Sequence, residues 1–224
     1  MSDPRFVRPE RVVLATRNPG KSRELSAMFA DAGIALVDLA AAGLAREDPA
    51  EDALEAFETF EENARAKARW FSAQLPGAFV VADDSGLAVD ALGGAPGVQS
   101  KRWSQSGVRG RASGAALDDA NNAHLLASLS GASSRAAGYV CVVVCTDGER
   151  EWSARGECRG RILEAPSGRG GFGYDPLFFS DDLQCAFGEA TRDEKARVSH
   201  RGRAFRALVR AFASEVGDAS GAQR

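Results

Sequence analysis

"VVADDSGLAVDALGGAPGVQSKRW", residues 80–103, sets two adjacent carboxylates, Asp83 and Asp84, at the end of an apolar run and follows them with glycine. Residues 79–82 are too few and too β-branched for a helix and read as a buried strand. Asp83, Asp84, Ser85 and Gly86 are turn-formers, so the pattern predicts a turn there before the apolar pattern resumes over 87–92. A plain turn between two strands and an acidic site at a strand end both satisfy these residues. The flanking chain has to decide.

Working outward, residues 11–15 form a first strand, a helix follows over about 21–32 up to Gly33, and 34–39 suit a second strand. Residues 40–53 look irregular and acidic. The stretch 59–74 is a helix capped by Thr59, with Glu62 completing an S/T-x-x-E box and Pro76-Gly77 stopping it. Another helix covers 115–129, and 136–162 is a long hairpin turning at Asp147-Gly148. Gly93, Gly94, Pro96 and Gly97 shape a turn, 168–173 is loop, and 177–179 is core strand. An amphipathic helix over 203–216 precedes a frayed tail at about 217–224. Strands alternating with helices, plus one hairpin, define an α/β protein with a mixed sheet.

The 224 residues, 44% of them hydrophobic, hold neither an internal repeat nor a linker rich in Pro, Gly or Ser, so one domain over 1–224 is expected. Formal net charge is −3, and no block of like charge forms an arm for nucleic acid or an acidic membrane. No apolar run approaches bilayer length and the N-terminal residues lack a signal-peptide core, so a soluble, cytoplasmic protein with neither nucleic acid nor membrane as partner is expected. Cys141, Cys145, Cys158 and Cys185 make no C-x-x-C pair and read as small buried hydrophobes. Of 28 basic residues only Lys21, Lys67, Lys101 and Lys195 are lysine. Each therefore invites a role that a planar guanidinium fills badly. Arg109, outside every motif, is a control position.

"VVLATRNPGKSREL", residues 12–25, puts a loop between strand and helix, where helix N-terminal amides favour an anion. Ala15 to Ser22 resemble a Walker A loop ending in Gly20-Lys21-Ser22, with residues 79–84 as a passable Walker B strand. Against that, Ala15 stands where the first glycine belongs and Pro19 removes an amide from the cradle. The skeleton Thr16-x-Asn18-x-x-Lys21 offers a hydroxyl, an amide and a compact cation to a triphosphate instead. An ordinary βα turn with capping polar residues is the alternative.

Three further stretches hold polar residues with no evident packing purpose: "ETFEENARAKAR" (58–69), "GGFGYDPLFF" (170–179) and "SHRGRAF" (199–205). With the opening stretch and the loop, they resemble the inosine triphosphate pyrophosphatase family over residues 11–212. That resemblance implies an elongated mixed sheet flanked by helices, two lobes around a central cleft, and a homodimer. It also implies hydrolysis of ITP, dITP or XTP to the monophosphate and pyrophosphate with Mg²⁺, Mn²⁺ being the alternative ion. Asp84 matches the catalytic aspartate that binds metal and activates water, and Asp83 is its supporting metal carboxylate. Two adjacent carboxylates repel unless a cation intervenes, which suits a metal. Glu55 matches the other metal ligand, although Phe57 stands where the family usually has glycine, and Glu51 or Glu58 are alternatives. Thr16, Arg17, Asn18, Pro19, Gly20 and Lys21 form the triphosphate loop, and Lys67 and Ser85 match substrate contacts. Phe172, Gly173, Tyr174 and Asp175 match the base-binding segment, while Lys195, His200 and Arg201 match donors suited to a 6-keto oxygen. Two rivals stay open: a P-loop NTPase that cleaves the terminal phosphate, and a nucleotide-binding regulator without catalysis.

Overall fold

The computed structural model describes residues 9–105 and 114–218; Arg109 and the end of the expected tail, 219–224, lie outside them. The chain runs β1 (Arg11–Leu14), α1 (Pro19–Asp31), β2 (Ala35–Asp38), α2 (Phe60–Gln74) and β3 (Val80–Val89). It continues through α3 (Ala115–Ser128), the hairpin β4 (Ala136–Thr146) and β5 (Glu151–Ile162), β6 (Phe178–Ser180) and β7 (Cys185–Ala186). α4 (Arg192–Val198) and α5 (His200–Asp218) complete the described chain. The sheet order is β2-β1-β3-β4-β5-β6-β7, with β2, β1 and β3 parallel and the rest antiparallel. This is the expected mixed α/β sheet.

The turn expected at 83–86 is corrected. β3 is one uninterrupted strand, paired residue by residue with β4 from Val80↔Thr146 to Val89↔Ala137. Ten residues of ladder outweigh the local turn preference of Asp-Asp-Ser-Gly, as tertiary context overrides propensity in sheets. The turn comes later, where Gly93, Gly94 and Gly97 all have positive φ. Gly86 has a different purpose. A Cβ there would collide with the Gly97 carbonyl oxygen and the Ser100 hydroxyl, so glycine lets the segment Gly97–Gln105 lie against β3.

Strand alternation then sorts the core. Val81, Cys141 and Val143 face α1 and α5, where Phe29 and Phe205 meet edge-on at 5.1 Å. Val80, Ala82 and Val142 face α2, which buries Ala64, Ala68 and Phe71 at helical spacing. Further along the same strands a third cluster gathers Leu87, Tyr139 and Leu125 of α3 with Phe178 and Phe187. Each buried Phe or Leu contributes about 2 kcal/mol. The cleft opens at residues 84–86, between the cores at the two ends of β3. Thr59 caps α2 as expected, accepting from the Glu62 N–H at 3.1 Å, while the Glu62 carboxylate takes the Thr59 hydroxyl at 2.7 Å.

Candidate active site

Asp83 and Asp84 are neighbours in a strand, so they point to opposite faces. Asp84 faces α2. Its Oδ2 accepts from Asn63 Nδ2 at 2.9 Å and its Oδ1 lies 3.5 Å from Lys67 Nζ. Asn63 and Lys67 stand one helical turn apart, which lets both reach the same carboxylate. Asn63 Oδ1 also accepts from the Phe57 N–H at 3.0 Å, tying Asp84 to the chain just beyond Glu55. Lys67 Nζ donates to Glu55 Oε1 at 3.0 Å and to the Asp83 carbonyl at 2.6 Å. Burial opposes its charge, but Asp84 and Glu55 outweigh that and raise its pKa.

Asp83 faces the other way and is corrected as a metal ligand. Its carboxylate is buried, 3.1 Å from Lys21 Nζ and 3.3 Å from Arg201 Nε. Burial alone would raise its pKa; Lys21, Arg201 and Lys67 reverse the sign and hold it well below the usual carboxylate range. The repulsion that argued for a metal between the two carboxylates is therefore removed by the sheet and by separate cations.

Glu55, the last residue of the 3₁₀ segment Pro49–Glu55, joins Asp84 through Lys67, and its Oε2 accepts from Arg102 at 2.9 Å. Burial pushes its carboxyl up, while Lys67, Lys21 and Lys101 pull it down to about 2. Of the alternatives, Glu51 is engaged by Arg17. Arg17 lines the compartment beside the loop, and its guanidinium is engaged at the same time: Nε and Nη2 fork onto Glu51 at 3.0 and 2.8 Å. Nη1 reaches the Leu44 carbonyl at 2.7 Å and Nη2 that of Arg46 at 2.8 Å. Arg17 thus binds the loop to the Glu55-bearing segment.

Asn18 caps α1, its Oδ1 accepting from the Gly20 and Lys21 N–H groups at 2.8 and 3.2 Å. Amides that a Walker A cradle would give to phosphate are spent on this cap, and Pro19 has none to give. Pro19 and Gly20 line neither compartment of the cleft; Gly20 packs under the Phe172 ring. Thr16, Asn18, Lys21, Lys67 and Glu55 do line the compartment beside the loop.

The other compartment carries the aromatic segment. Phe172 lies with Lys195 Nζ 5.1 Å and Arg201 Cζ 5.6 Å from its ring centre. Asp175 Oδ2 accepts from the Phe172 N–H at 2.8 Å and Lys195 Nζ at 2.5 Å. Burial raises the Asp175 carboxyl, against the pull of Lys195. Tyr174 is buried and donates to the Ser100 carbonyl at 2.9 Å, and Gly173 is held by Asp118 at 2.8 Å and Asn122 at 3.0 Å. His200 stacks on Tyr139 at 4.5 Å and 9°, with Nδ1 3.9 Å from Cys158 Sγ. Burial, then Arg201 and Lys195, push its pKa well below the usual value, so the ring is neutral. Arg201 is a strut, its three nitrogens engaged by Asp83, Glu24 and Ser85 Oγ.

Sequence reasoning missed Asn63, Glu24, Arg102 and Asp118. Asn63 was legible as the i−4 partner of Lys67 in "ENARAK". Glu24, one turn past Lys21 on α1, accepts from both Lys195 (2.6 Å) and Arg201 and so joins three motifs. Nothing local marks that.

Mg²⁺ takes one or two carboxylates and completes its shell with water and substrate phosphates. Among the described residues no group of three or more His, Cys, Asp or Glu assembles. Asp84 and Glu55, both turned toward one ammonium, are the donor pair that fits an ion arriving with phosphate.

The model of the Ham1 family matches residues 12–211. A dITP/XTP pyrophosphatase of Nocardia farcinica is 46% identical over 207 residues, 91% of this chain and 95% of the relative. A dITP/XTP pyrophosphatase of Acidobacterium capsulatum is 42% identical over 197 residues, 88% of this chain and 95% of the relative. The structure of a HAM1 protein from Coxiella burnetii superposes with a TM-score of 0.75 at 31% identity, covering 91% of this chain and 98% of that one. With the match spanning nearly the whole chain, this protein belongs to the Ham1 family.

Proposed function

We propose that this chain hydrolyses non-standard purine nucleoside triphosphates of the ITP, dITP and XTP class to monophosphate and pyrophosphate. The carrying observation is the position of Asp84. It lines the compartment that holds Phe172 and His200, and its Oδ1 lies 3.5 Å from Lys67, which lines the lysine-bearing compartment beside the loop. Relatives named dITP/XTP pyrophosphatase support the substrate class.

Water attacks the α-phosphorus; its oxygen forms the new P–O bond while the bond to the bridging oxygen breaks and its electron pair leaves with pyrophosphate. Asp84 Oδ1 accepts the water's proton, and Asn63 on Oδ2 fixes the carboxylate's aim. Lys21 and Lys67 neutralise charge that grows on the phosphates, so preorganised electrostatics supply most of the rate. Glu55 and Asp84 would hold Mg²⁺, with Mn²⁺ as the alternative, and the ion would withdraw charge from the phosphates.

Base choice falls to His200. The Cys158 thiol, raised to about 11 by burial, stays protonated and faces Nδ1 at 3.9 Å; the reading makes Nδ1 its acceptor and gives Nε2 the ring proton, aimed at the 6-keto oxygen. An adenine amino group presents a donor to that donor. ITP is thus favoured over ATP by roughly 10⁴-fold in kcat/KM, the scale for a site that reads one polar group.

The reading further takes the chain as a single domain that works in the cytoplasm as a homodimer, the state the resemblance implies. Among the described residues no helix is long and apolar enough to cross a membrane. The test is product identity from ITP and Mg²⁺. IMP with pyrophosphate supports the reading, IDP with phosphate makes the chain a terminal phosphatase, and no turnover makes it a binder.

A further inference from the structure

Helix α3 is tied to two segments that line the cleft. It docks through Leu117, Asn121 and Leu125, spaced i, i+4 and i+8 and all buried. The next positions round the helix, Asp118 and Asn122, stand one turn apart and close on a single residue of the aromatic segment. Asp118 Oδ2 accepts from the Gly173 N–H at 2.8 Å, and Asn122 Nδ2 donates to the Gly173 carbonyl at 3.0 Å. Asn121 holds the segment Gly97–Gln105: its Oδ1 accepts from the Ser104 N–H at 2.9 Å and its Nδ2 donates to the Lys101 carbonyl at 3.1 Å. Asp118 itself lines the aromatic compartment beside Phe172, Gly173 and His200. Burial raises its carboxyl, while the Gly173 N–H favours the charged form.

Residues 168–173 read Gly-Arg-Gly-Gly-Phe-Gly, and Gly173 has a left-handed φ of 63°. Such a segment has much freedom to lose, and a wall ordered only on binding would take that cost from the affinity for the base. The Asp118 bond is charge-assisted, the stronger kind. We propose that Asp118 and Asn122 are positioning residues for base choice: they hold Gly173, and with it the adjacent Phe172 ring, in place before the purine arrives. A base pressed against a fixed wall cannot shift to relieve a mismatch at His200. This rests on the pyrophosphatase reading and names the residues, outside the expected motifs, that sharpen its base selection.

The experiment compares the parent with Asp118→Ala, Asp118→Asn and Asn122→Ala. It measures kcat and KM for ITP and ATP, calorimetric Kd for IMP, AMP and inorganic pyrophosphate with Mg²⁺ present, and Tm. In Asp118→Ala, KM for ITP and Kd for IMP should rise about tenfold, the scale of one hydrogen bond to a charged group, while kcat and Kd for pyrophosphate stay within about twofold. The preferences for ITP over ATP and for IMP over AMP should narrow by a similar factor. Asn122→Ala should show the same pattern more weakly. Asp118→Asn, whose amide oxygen can still accept, should recover most of the loss. Three outcomes would each overturn the assignment while leaving the reaction intact. These are unchanged preferences in Asp118→Ala, an equal weakening of IMP and pyrophosphate whether or not Tm falls, and an Asp118→Asn variant as impaired as Asp118→Ala. A parent that releases no pyrophosphate from ITP would overturn the reaction, and the IMP and AMP affinities would then judge the wall by themselves.

Discussion

The carboxylates of Asp83 and Asp84 are divided by the β3 backbone: one is locked by Lys21 and Arg201, the other held by Asn63 and Lys67 at the cleft. Their substitutions should separate stability from chemistry. Asp83→Asn strips a buried partner from two cations and should cost about 3–5 kcal/mol of stability. Asp84→Asn, nearly isosteric, should keep the fold and nucleotide binding and lower kcat at least about 10²-fold. Denaturant melts and steady-state kinetics on both variants check this. An active, fully folded Asp84→Asn enzyme contradicts it.

Arg17 should act at a distance. Its fork on Glu51 fixes the segment that ends in Glu55, and Glu51 also accepts from the Asp48 N–H at 3.1 Å. Arg17→Ala should lose about 2 kcal/mol, typical of hydrogen bonds to a charged group, and lower kcat/KM with it. Glu51→Gln should lose a similar amount, and the double variant little more than either, because one interaction is removed twice. Additive losses would mean that the two side chains act separately.

How much of this was readable in the sequence follows from where the determining contacts lie. The α2 cap, the β4–β5 hairpin and the lysine-bearing motifs announce themselves within a few residues, and the structure has them. The identity of Asp84's neighbours was half legible, since Lys67 and Asn63 share a helix face. The turn at 83–86 misled because the ladder with β4 is formed by residues fifty to sixty positions away. The fork of Arg17 on Glu51 was illegible for the same reason, as its partners lie about thirty residues along. His200 and Arg201 were taken together as donors, but only the tertiary fold shows one stacked on Tyr139 and the other consumed by Asp83, Glu24 and Ser85.

His200 should make the fold sensitive to acid. It faces Tyr139 and Cys158, with Arg201, Lys195 and Lys21 disfavouring its proton and Asp83 favouring it. The unfolded chain takes up a proton near pH 6.5 and the folded one does not. Stability from this group is therefore full above about pH 6.5 and falls as pH drops below it, by at most about 1.4 kcal/mol per pH unit. Denaturant melts from pH 7.5 to 5 should show the fall in the parent and a shallower one in His200→Gln. A parent with no fall across that range contradicts the buried neutral ring.

The position of attack is the central claim, and the fate of solvent oxygen tests it most directly. Hydrolysis of ITP in ¹⁸O-water, with the products resolved by mass spectrometry, should place one solvent oxygen in IMP and none in pyrophosphate. Label in pyrophosphate would mean that water attacks the β-phosphorus, and Asp84 would then be aimed at the wrong atom.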